Sequence, residues 1–271
     1  MTEPITSLTN PRVKAAVRLR DRRERETTGL TIVDGAREIV RALDAGVRVE
    51  TAFIADELVR SPEAIEAVDR LRHRPTTIPV SAAVLAKVAF GDRSDGIVAI
   101  VAIPATSLAD LPPPDQALIV VIEGIEKPGN LGAVLRTADA VGAHAVIAAD
   151  ARTDPFNPNA IRASIGTIFA LPVVQASSQE TLDWLAERRI RPVAAVVDAA
   201  ATFTDADLTG PLAIVLGTEA AGLSDIWRTD AVTAVSIPMH GIADSLNVST
   251  AAAVLLFEAA RQRIVTHKPA H

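Results

Sequence analysis

The feature that most constrains the fold is a series of short, continuously apolar segments after residue 116. They are rich in Val and Ile and do not alternate with polar residues. The segments are ALIVVIEGI (117–125), HAVIAAD (144–150), ALPVVQA (170–176), PVAAVVD (192–198), LAIVLG (212–217) and AVSIP (234–238). Strands buried on both faces of a parallel sheet have this composition. Helix-like segments lie between them, at 130–141, 157–166, 179–189 and 247–264, so the pattern predicts an α/β fold with a helix-covered parallel sheet.

A second, smaller domain precedes this one. Its β-like runs are LTIVDG (30–35), VETAFIA (49–55), TIPVS (77–81) and GIVAIV (96–101), and AREIVRALDAG (36–46) has helical spacing. Three consecutive prolines in AIPATSLADLPPPDQ (102–116) cannot continue a helix or a central strand. We therefore predict a small α/β domain over 1–104, a Pro-rich linker over 105–116 and the parallel-sheet domain over 117–271.

Composition excludes several classes of protein. The chain of 271 residues contains no cysteine, which removes disulfides, thiolate catalysis and cysteine zinc sites. The five histidines have no metal-ligand spacing, and no run of 18 uncharged apolar residues could span a membrane. The N-terminal segment has no apolar core typical of a signal peptide. These features predict a cytoplasmic protein with no metal and no membrane partner.

The charge is unevenly distributed. The net charge of −6 argues against a generally basic nucleic-acid binder, but residues 10–25 carry seven basic and two acidic side chains. The planar guanidinium of Arg binds phosphate well through its forked donors. A solvated helix face is an equally weighted alternative explanation of this basic segment. If the segment is one helix, its candidate RNA-binding residues share much of one face. These candidates are Arg12, Arg18, Arg22 and Arg25.

Three polar loops follow predicted strands, after Glu123, Leu216 and Pro238. Parallel sheets bind ligands at the carboxyl ends of their strands. The loop glycines do not form the dinucleotide fingerprint, and Gly217 and Gly222 are not followed by the Lys-Ser/Thr of a phosphate-binding loop. The pattern favours a nucleoside ligand that is bound without a phosphate-binding motif.

The third loop leads into DSLNVST (244–250), which places small polar side chains directly before a buried helix. Capping uses one or two such residues. The remaining side chains indicate a ligand site at the helix N-terminus, and capping alone stays an alternative.

These loops carry a resemblance to a known family. NLGAVLRTA (130–138), VLGTEAAGLS (215–224) and IPMHGIADSLNVSTAAAVLLFEAARQR (237–263) resemble the three successive motifs of the SpoU/TrmH family, which are RNA ribose 2′-O-methyltransferases of the SPOUT class that use S-adenosylmethionine. Residues 5–43 resemble the substrate-binding domain of the members that modify ribosomal RNA.

The resemblance implies a fold and an assembly. The C-terminal segment near 238–263 would pass through the loop around 217–222 as a deep trefoil knot, and the first domain would be an RNA-binding domain like ribosomal protein L30. The protein would be a homodimer in which each active site is completed by the partner's first motif. Ribosomal RNA is then the favoured substrate, with transfer RNA as the alternative and a non-catalytic RNA-binding module as a different class. A subset of such enzymes confers antibiotic resistance, and both that property and the target nucleotide are left open.

The resemblance also assigns residue roles. The implied catalytic residues are Asn130, Arg136, Glu219, Ser245 and Asn247, and the implied cofactor-binding residues are Leu216, Gly217, Ile237, Met239, Leu246 and Asn247. A guanidinium has a pKa far above neutral pH, stays protonated and is therefore a poor base. We therefore expect Arg136 to bind the adjacent phosphate and stabilise the developing alkoxide. The alternative for Arg136 is a surface ion pair with Asp139.

Overall fold

The structure is a computed structural model that describes residues 3–91, 95–111, 115–218 and 222–266. Within these residues every strand predicted from the apolar runs is present. The strands are Leu30–Val33 (β1), Val49–Ile54 (β2), Thr77–Pro79 (β3), Ile97–Ala102 (β4), Leu118–Glu123 (β5), Ala145–Ala149 (β6), Val173–Ala176 (β7), Arg191–Ala195 (β8), Leu212–Leu216 (β9) and Thr233–Val235 (β10).

The helices between these strands begin at capping signals that are visible in the sequence. Asn10 accepts a hydrogen bond from the Arg12 amide before Pro11, and Ser177 forms a capping box with Glu180. The helices are Pro11–Arg18 (α1), Arg22–Thr28 (α2), Ala36–Asp44 (α3), Pro62–Leu71 (α4), Ala82–Val88 (α5), Pro128–Ala140 (α6), Pro158–Ala163 (α7), Ser178–Glu187 (α8) and Val248–Thr266 (α9). Among the described residues, none of these helices is both long and apolar enough to cross a membrane.

The chain divides into two compact units. The first contains Met1–Ala105 and Phe156–Ala170, and the second contains Thr106–Pro155 and Leu171–His271. In the first unit the sheet has the order β1-β4-β2-β3, with β4 antiparallel to both neighbours and β2 parallel to β3. Its core contains apolar side chains of α1, α5 and the sheet, including Val13, Phe53 and Leu85.

The segment Phe156–Ala170 separates β6 from β7 in the sequence but belongs to the first unit. Arg162 of α7 forms an ion pair of 2.6 Å with Asp34, whose carboxylate is nearly inaccessible to solvent. Arg41 donates to the Ile165 carbonyl at 2.6 Å, and Thr31 donates to the Phe156 carbonyl at 2.8 Å. A domain boundary placed only between 104 and 117 does not anticipate this arrangement.

The predicted linker is partly packed. Leu111 is buried in the core of the second unit, and the Leu108 carbonyl accepts a hydrogen bond from the Trp184 indole at 2.8 Å. The three prolines lie outside the described residues. The part of the linker that the structure describes is therefore fixed to the second unit by apolar and polar contacts.

The second unit contains a parallel sheet in the order β10-β8-β9-β5-β6-β7. The five apolar residues of β5 are buried, as the apolar run predicts, and Glu123, which ends the strand, is buried as well. Strands β6 and β7 lie on one side of β5, and β8, β9 and β10 lie on the other side. The strand order therefore changes direction at β5, near the centre of the sheet. This is where open α/β sheets provide a ligand crevice at the carboxyl ends of the strands.

Helix α9 is fixed at the opposite end of this sheet. Arg263 donates hydrogen bonds to the carbonyl oxygens of Ala117 and Gly210, which precede β5 and β9. A helix of 19 residues is about 28 Å long. The first residues of α9 therefore lie near the carboxyl ends of the strands, next to the crevice.

Candidate active site

A cleft of about 390 Å³ opens at the carboxyl ends of β8, β9 and β10. The loops that follow β9 and β10 and the first turn of α9 complete its walls. Of the residues predicted to bind a cofactor, those that line this cleft are Leu216, Gly217, Ile237, Met239 and Leu246. Ser245, predicted to be catalytic, lines it as well. The structure thus brings the second and third motifs together at one concave surface.

Gly217 allows the loop after β9 to fold tightly on itself. A Cβ atom at this position would collide with the backbone of Gly222 and Leu223. The Gly222 amide also donates to the Thr218 carbonyl at 2.9 Å, which closes the loop. Only glycine fits this approach, so the loop backbone itself forms the wall of the cleft. Glu219, predicted to be catalytic, lies outside the described residues.

Asn247 connects the cleft to the first motif. Its Oδ1 caps α9 by accepting from the Ser249 amide at 2.9 Å and the Ser249 hydroxyl at 2.6 Å. Its Nδ2 donates to Oδ1 of Asn130 at 3.4 Å, near the upper limit for a hydrogen bond. Asn247 therefore combines helix capping with a contact to the candidate catalytic motif, and the two interpretations of the polar cluster are compatible.

Arg136 is exposed on α6 and forms no ion pair with Asp139 or with any other residue that the structure describes. The surface-pair alternative is therefore wrong. Helix geometry separates Arg136 from Asn130 by about 9 Å along the axis and by about 120° around it. Asn130 and Arg136 of one chain therefore leave α6 in different directions.

A buried carboxylate for which the sequence predicted no role fixes the segment that follows Gly222. Glu123, the last residue of β5, accepts hydrogen bonds from the Ser224 amide and hydroxyl at 2.8 and 2.6 Å. It also accepts from the Ser178 hydroxyl at 2.7 Å and the Trp227 indole at 3.1 Å. The sequence feature that could have indicated this role is a single acidic residue at the end of an apolar strand. Its contacts hold the segment that follows Gly222 in place.

Two further polar residues of the cleft, Thr218 and Asp244, were also missed. Thr218 directly follows Gly217, and Asp244 precedes Ser245, so both adjoin predicted site residues. Among the described residues, the His, Asp and Glu side chains form no group of three able to hold a metal ion. The prediction of a metal-free site stays a prediction.

The structure corrects the candidate RNA-binding face. Residues 10–25 form two short helices, α1 and α2, separated by a turn at residues 19–21, so the four arginines do not share one helix face. Arg25 is only 1% exposed and donates to the carbonyl oxygens of Leu19 and Arg20 at 2.8 and 2.9 Å. Its assignment as an RNA-binding residue is wrong, because its guanidinium satisfies the carbonyls of this turn.

The other basic side chains of α1 and α2 are exposed. Arg18 and Arg22 form ion pairs with Glu24 and Glu26, at 3.2 and 2.6 Å. Within helices α1 and α2, the exposed cations with no side-chain partner among the described residues are Arg12, Lys14 and Arg23. The free positive charge on these helices therefore lies on a different set of residues from the one predicted.

Comparison with known proteins agrees with this geometry. The sequence profile of the SpoU rRNA Methylase family matches residues 117–257, and that of the MRM3-like substrate binding domain matches residues 10–99. A 23S rRNA (uridine(2479)-2′-O)-methyltransferase of Streptomyces viridochromogenes is 35% identical over 255 residues, which cover 91% of this chain and 88% of that enzyme. The chain belongs to the SpoU rRNA Methylase family.

Solved structures of related proteins have the same fold over nearly the whole chain. An RNA 2′-O ribose methyltransferase is 43% identical with a TM-score of 0.86, covering 97% of this chain and 100% of that one. The SpoU methyltransferase AviRb from Streptomyces viridochromogenes, in complex with AdoMet, is 34% identical with a TM-score of 0.84, covering 94% of this chain and 98% of that one. The family predicted from the three motifs is therefore confirmed.

Proposed function

We propose that this SpoU-family chain transfers a methyl group from S-adenosylmethionine to a ribose 2′-hydroxyl of ribosomal RNA. The predictions of enzyme class, substrate class and cofactor agree with the relatives: two are named as RNA 2′-O-methyltransferases, and a SpoU methyltransferase was solved in complex with AdoMet. The observation that carries the proposal is the contact between Asn247, beside the cleft, and Asn130 of the first motif. It brings residues of a candidate cofactor site and a candidate RNA site within hydrogen-bond reach.

The cleft fits the cofactor in size and chemistry. Its volume of about 390 Å³ lies within the range of small-molecule sites. Its walls are mostly apolar, and the backbone of the tight Gly217 loop is available to the polar edge of an adenosine. Leu216, Gly217, Ile237, Met239 and Leu246 would hold the cofactor. S-adenosylmethionine, when bound, supplies an electrophilic methyl group.

The residues of the chain then have to orient and activate the hydroxyl. Asn130, Asn247 and Ser245 supply neutral donors and acceptors that position the ribose, and alignment of reacting groups provides a large part of such rate enhancements. Arg136 binds the adjacent phosphate with its fork of donors and stabilises the charge that develops on the 2′-oxygen. Glu219 retains its predicted catalytic role within this proposal.

The assembly and the knot are part of the proposal. Two chains pair so that Arg136 of each serves the site of the other, which is supported by the different directions in which Asn130 and Arg136 leave α6. Helix α9 also exposes the apolar side chains of Phe257, Ile264 and Val265, which a partner would cover. The segment at 238–263 passes through the loop at 217–222 as a trefoil knot, in keeping with the joint lining of the cleft by both segments.

The first unit binds RNA as a domain of the ribosomal protein L30 type, and the enzyme acts on ribosomes in the cytoplasm. The match of residues 10–99 to a substrate binding domain supports this assignment. The exposed Arg12, Arg18 and Arg22, together with the unpaired Lys14 and Arg23, supply positive charge on α1 and α2.

The test is mass mapping of methylated nucleotides after incubation with the purified protein and isotope-labelled S-adenosylmethionine. Ribosomal RNA, transfer RNA and a reaction without protein are compared. We expect a label on one ribose 2′-oxygen of ribosomal RNA. A label on transfer RNA alone would replace the substrate assignment, and binding of RNA without any label would indicate the non-catalytic module.

A further inference from the structure

Among the described residues, one charged side chain lines the candidate cofactor cleft. Asp244 lies in the loop between β10 and α9, and the other polar side chains of the described lining are the hydroxyls of Thr218 and Ser245. Asp244 is exposed and has no hydrogen-bond or ion-pair partner among the described residues. A carboxylate with no partner among the described residues is available to a ligand in this cleft.

Asp244 is close in the sequence to the residue that contacts the first motif. It precedes Asn247 by three residues, so their Cα atoms are separated by at most about 11 Å. Asn247 in turn contacts Asn130 of the first motif. A methyl donor must direct its sulfonium toward this motif, because the ribose hydroxyl binds there in the proposed function. The amino-acid part of the donor is attached to the same sulfur, so its ammonium extends from this end of the cleft, where Asp244 is the charged group of the described lining.

We infer that Asp244 binds the α-ammonium group of the methionine moiety of S-adenosylmethionine. This inference rests on the proposed function. The ligand carries two positive groups, an ammonium and a sulfonium, and among the described residues Asp244 is the carboxylate that lines the cleft. A charge-assisted hydrogen bond from the ammonium to this carboxylate fixes the rotation of the methionine arm. Asp244 is then a binding residue that orients the donor.

The energetics of methyl transfer favour the ammonium over the sulfonium. The sulfonium loses its charge as the methyl group leaves, so a carboxylate beside it would stabilise the ground state more than the transition state and slow the reaction. The ammonium keeps its charge throughout. A contact to the ammonium therefore improves binding without raising the barrier.

The experiment is isothermal titration of the full chain with three ligands and no RNA. S-adenosylmethionine has both cations, S-adenosylhomocysteine has the ammonium only, and 5′-methylthioadenosine has neither. We compare wild type, Asp244→Asn and the control Asp230→Asn, which neutralises an exposed aspartate that does not line the cleft. We expect Asp244→Asn to weaken the first two ligands by a similar factor of about ten and to leave 5′-methylthioadenosine unchanged.

The other outcomes are distinct. If Asp244→Asn bound S-adenosylmethionine alone more weakly, the carboxylate would contact the sulfonium and the inference would be overturned. If the variant bound all three ligands as tightly as wild type does, Asp244 would have no binding role. Weakening of all three would mean a distorted cleft and would also overturn it. If wild type bound none of the ligands, the proposed function itself would fail, whatever the variant did.

Discussion

At the residue scale, Arg136 is the side chain on which the proposed chemistry depends most. It is exposed and unpaired among the described residues, so its replacement removes no interaction that the structure shows. We expect Arg136→Ala to reduce the methyl-transfer rate by at least about 100-fold, the size of effect seen when a donor to a developing oxyanion is removed. Arg136→Lys should be nearly as slow, because an ammonium cannot reproduce the fork of donors. Single-turnover rates on ribosomal RNA measure the effect, and the affinity for S-adenosylmethionine and the melting temperature should stay at wild-type values. A Lys variant with near wild-type turnover would contradict the assignment.

At the element scale, α1 and α2 contain exposed arginines and one buried arginine, Arg25, which the sequence alone does not distinguish. The triple variant Arg12→Gln, Lys14→Gln, Arg23→Gln removes unpaired exposed charge, so RNA affinity should fall. Its dependence on the logarithm of salt concentration should flatten by about 0.7–0.9 for each phosphate that the variant no longer binds. The matched control Arg60→Gln, Arg74→Gln, Lys87→Gln removes the same charge from other exposed positions of the first unit, none of which forms an ion pair among the described residues. Coincident salt slopes for the two triple variants would show that α1 and α2 do not contact RNA.

Arg25→Ala provides the structural contrast within the same pair of helices. It leaves the carbonyl oxygens of Leu19 and Arg20 without their buried donor. We expect a decrease of about 1–3 kcal/mol in the free energy of unfolding, measured by urea denaturation. At temperatures where the variant is folded, its salt slope for RNA binding should equal that of wild type. A flattened slope at unchanged stability would instead return Arg25 to the RNA-binding set.

At the scale of the whole molecule, the proposed dimer predicts complementation between two inactive variants. If each site takes Arg136 from the partner, a mixed dimer of Arg136→Ala and Asn247→Ala subunits has one intact site and one doubly defective site. Random exchange gives mixed dimers in about half of the population, so activity should recover to roughly a quarter of wild type. Subunits that carry both substitutions, mixed with Arg136→Ala subunits, should recover nothing. Mixed dimers demonstrated by differently tagged subunits, but with no activity, would indicate sites contained within one chain.

The sequence by itself determined the strands and the family. Continuous apolar runs such as those of β5 and β9 leave few alternatives, because strands buried on both faces need apolar side chains at every position. The three motifs identified the family since they follow strand ends in a fixed order. The same local information placed helix starts, as at Asn10 and Ser177, because a cap involves residues only a few positions apart.

Only the tertiary structure decided which of these residues meet and which are buried. Asn130 and Asn247 are 117 positions apart, and their contact depends on how α6 and α9 pack. The burial of Arg25 depends on the turn between α1 and α2, and the attachment of Phe156–Ala170 to the first unit depends on Asp34 and Arg162. Charge and hydropathy patterns report the preference of a side chain for water. They do not report a specific buried partner, because a hydrogen bond between distant segments leaves no periodic signal in one sequence.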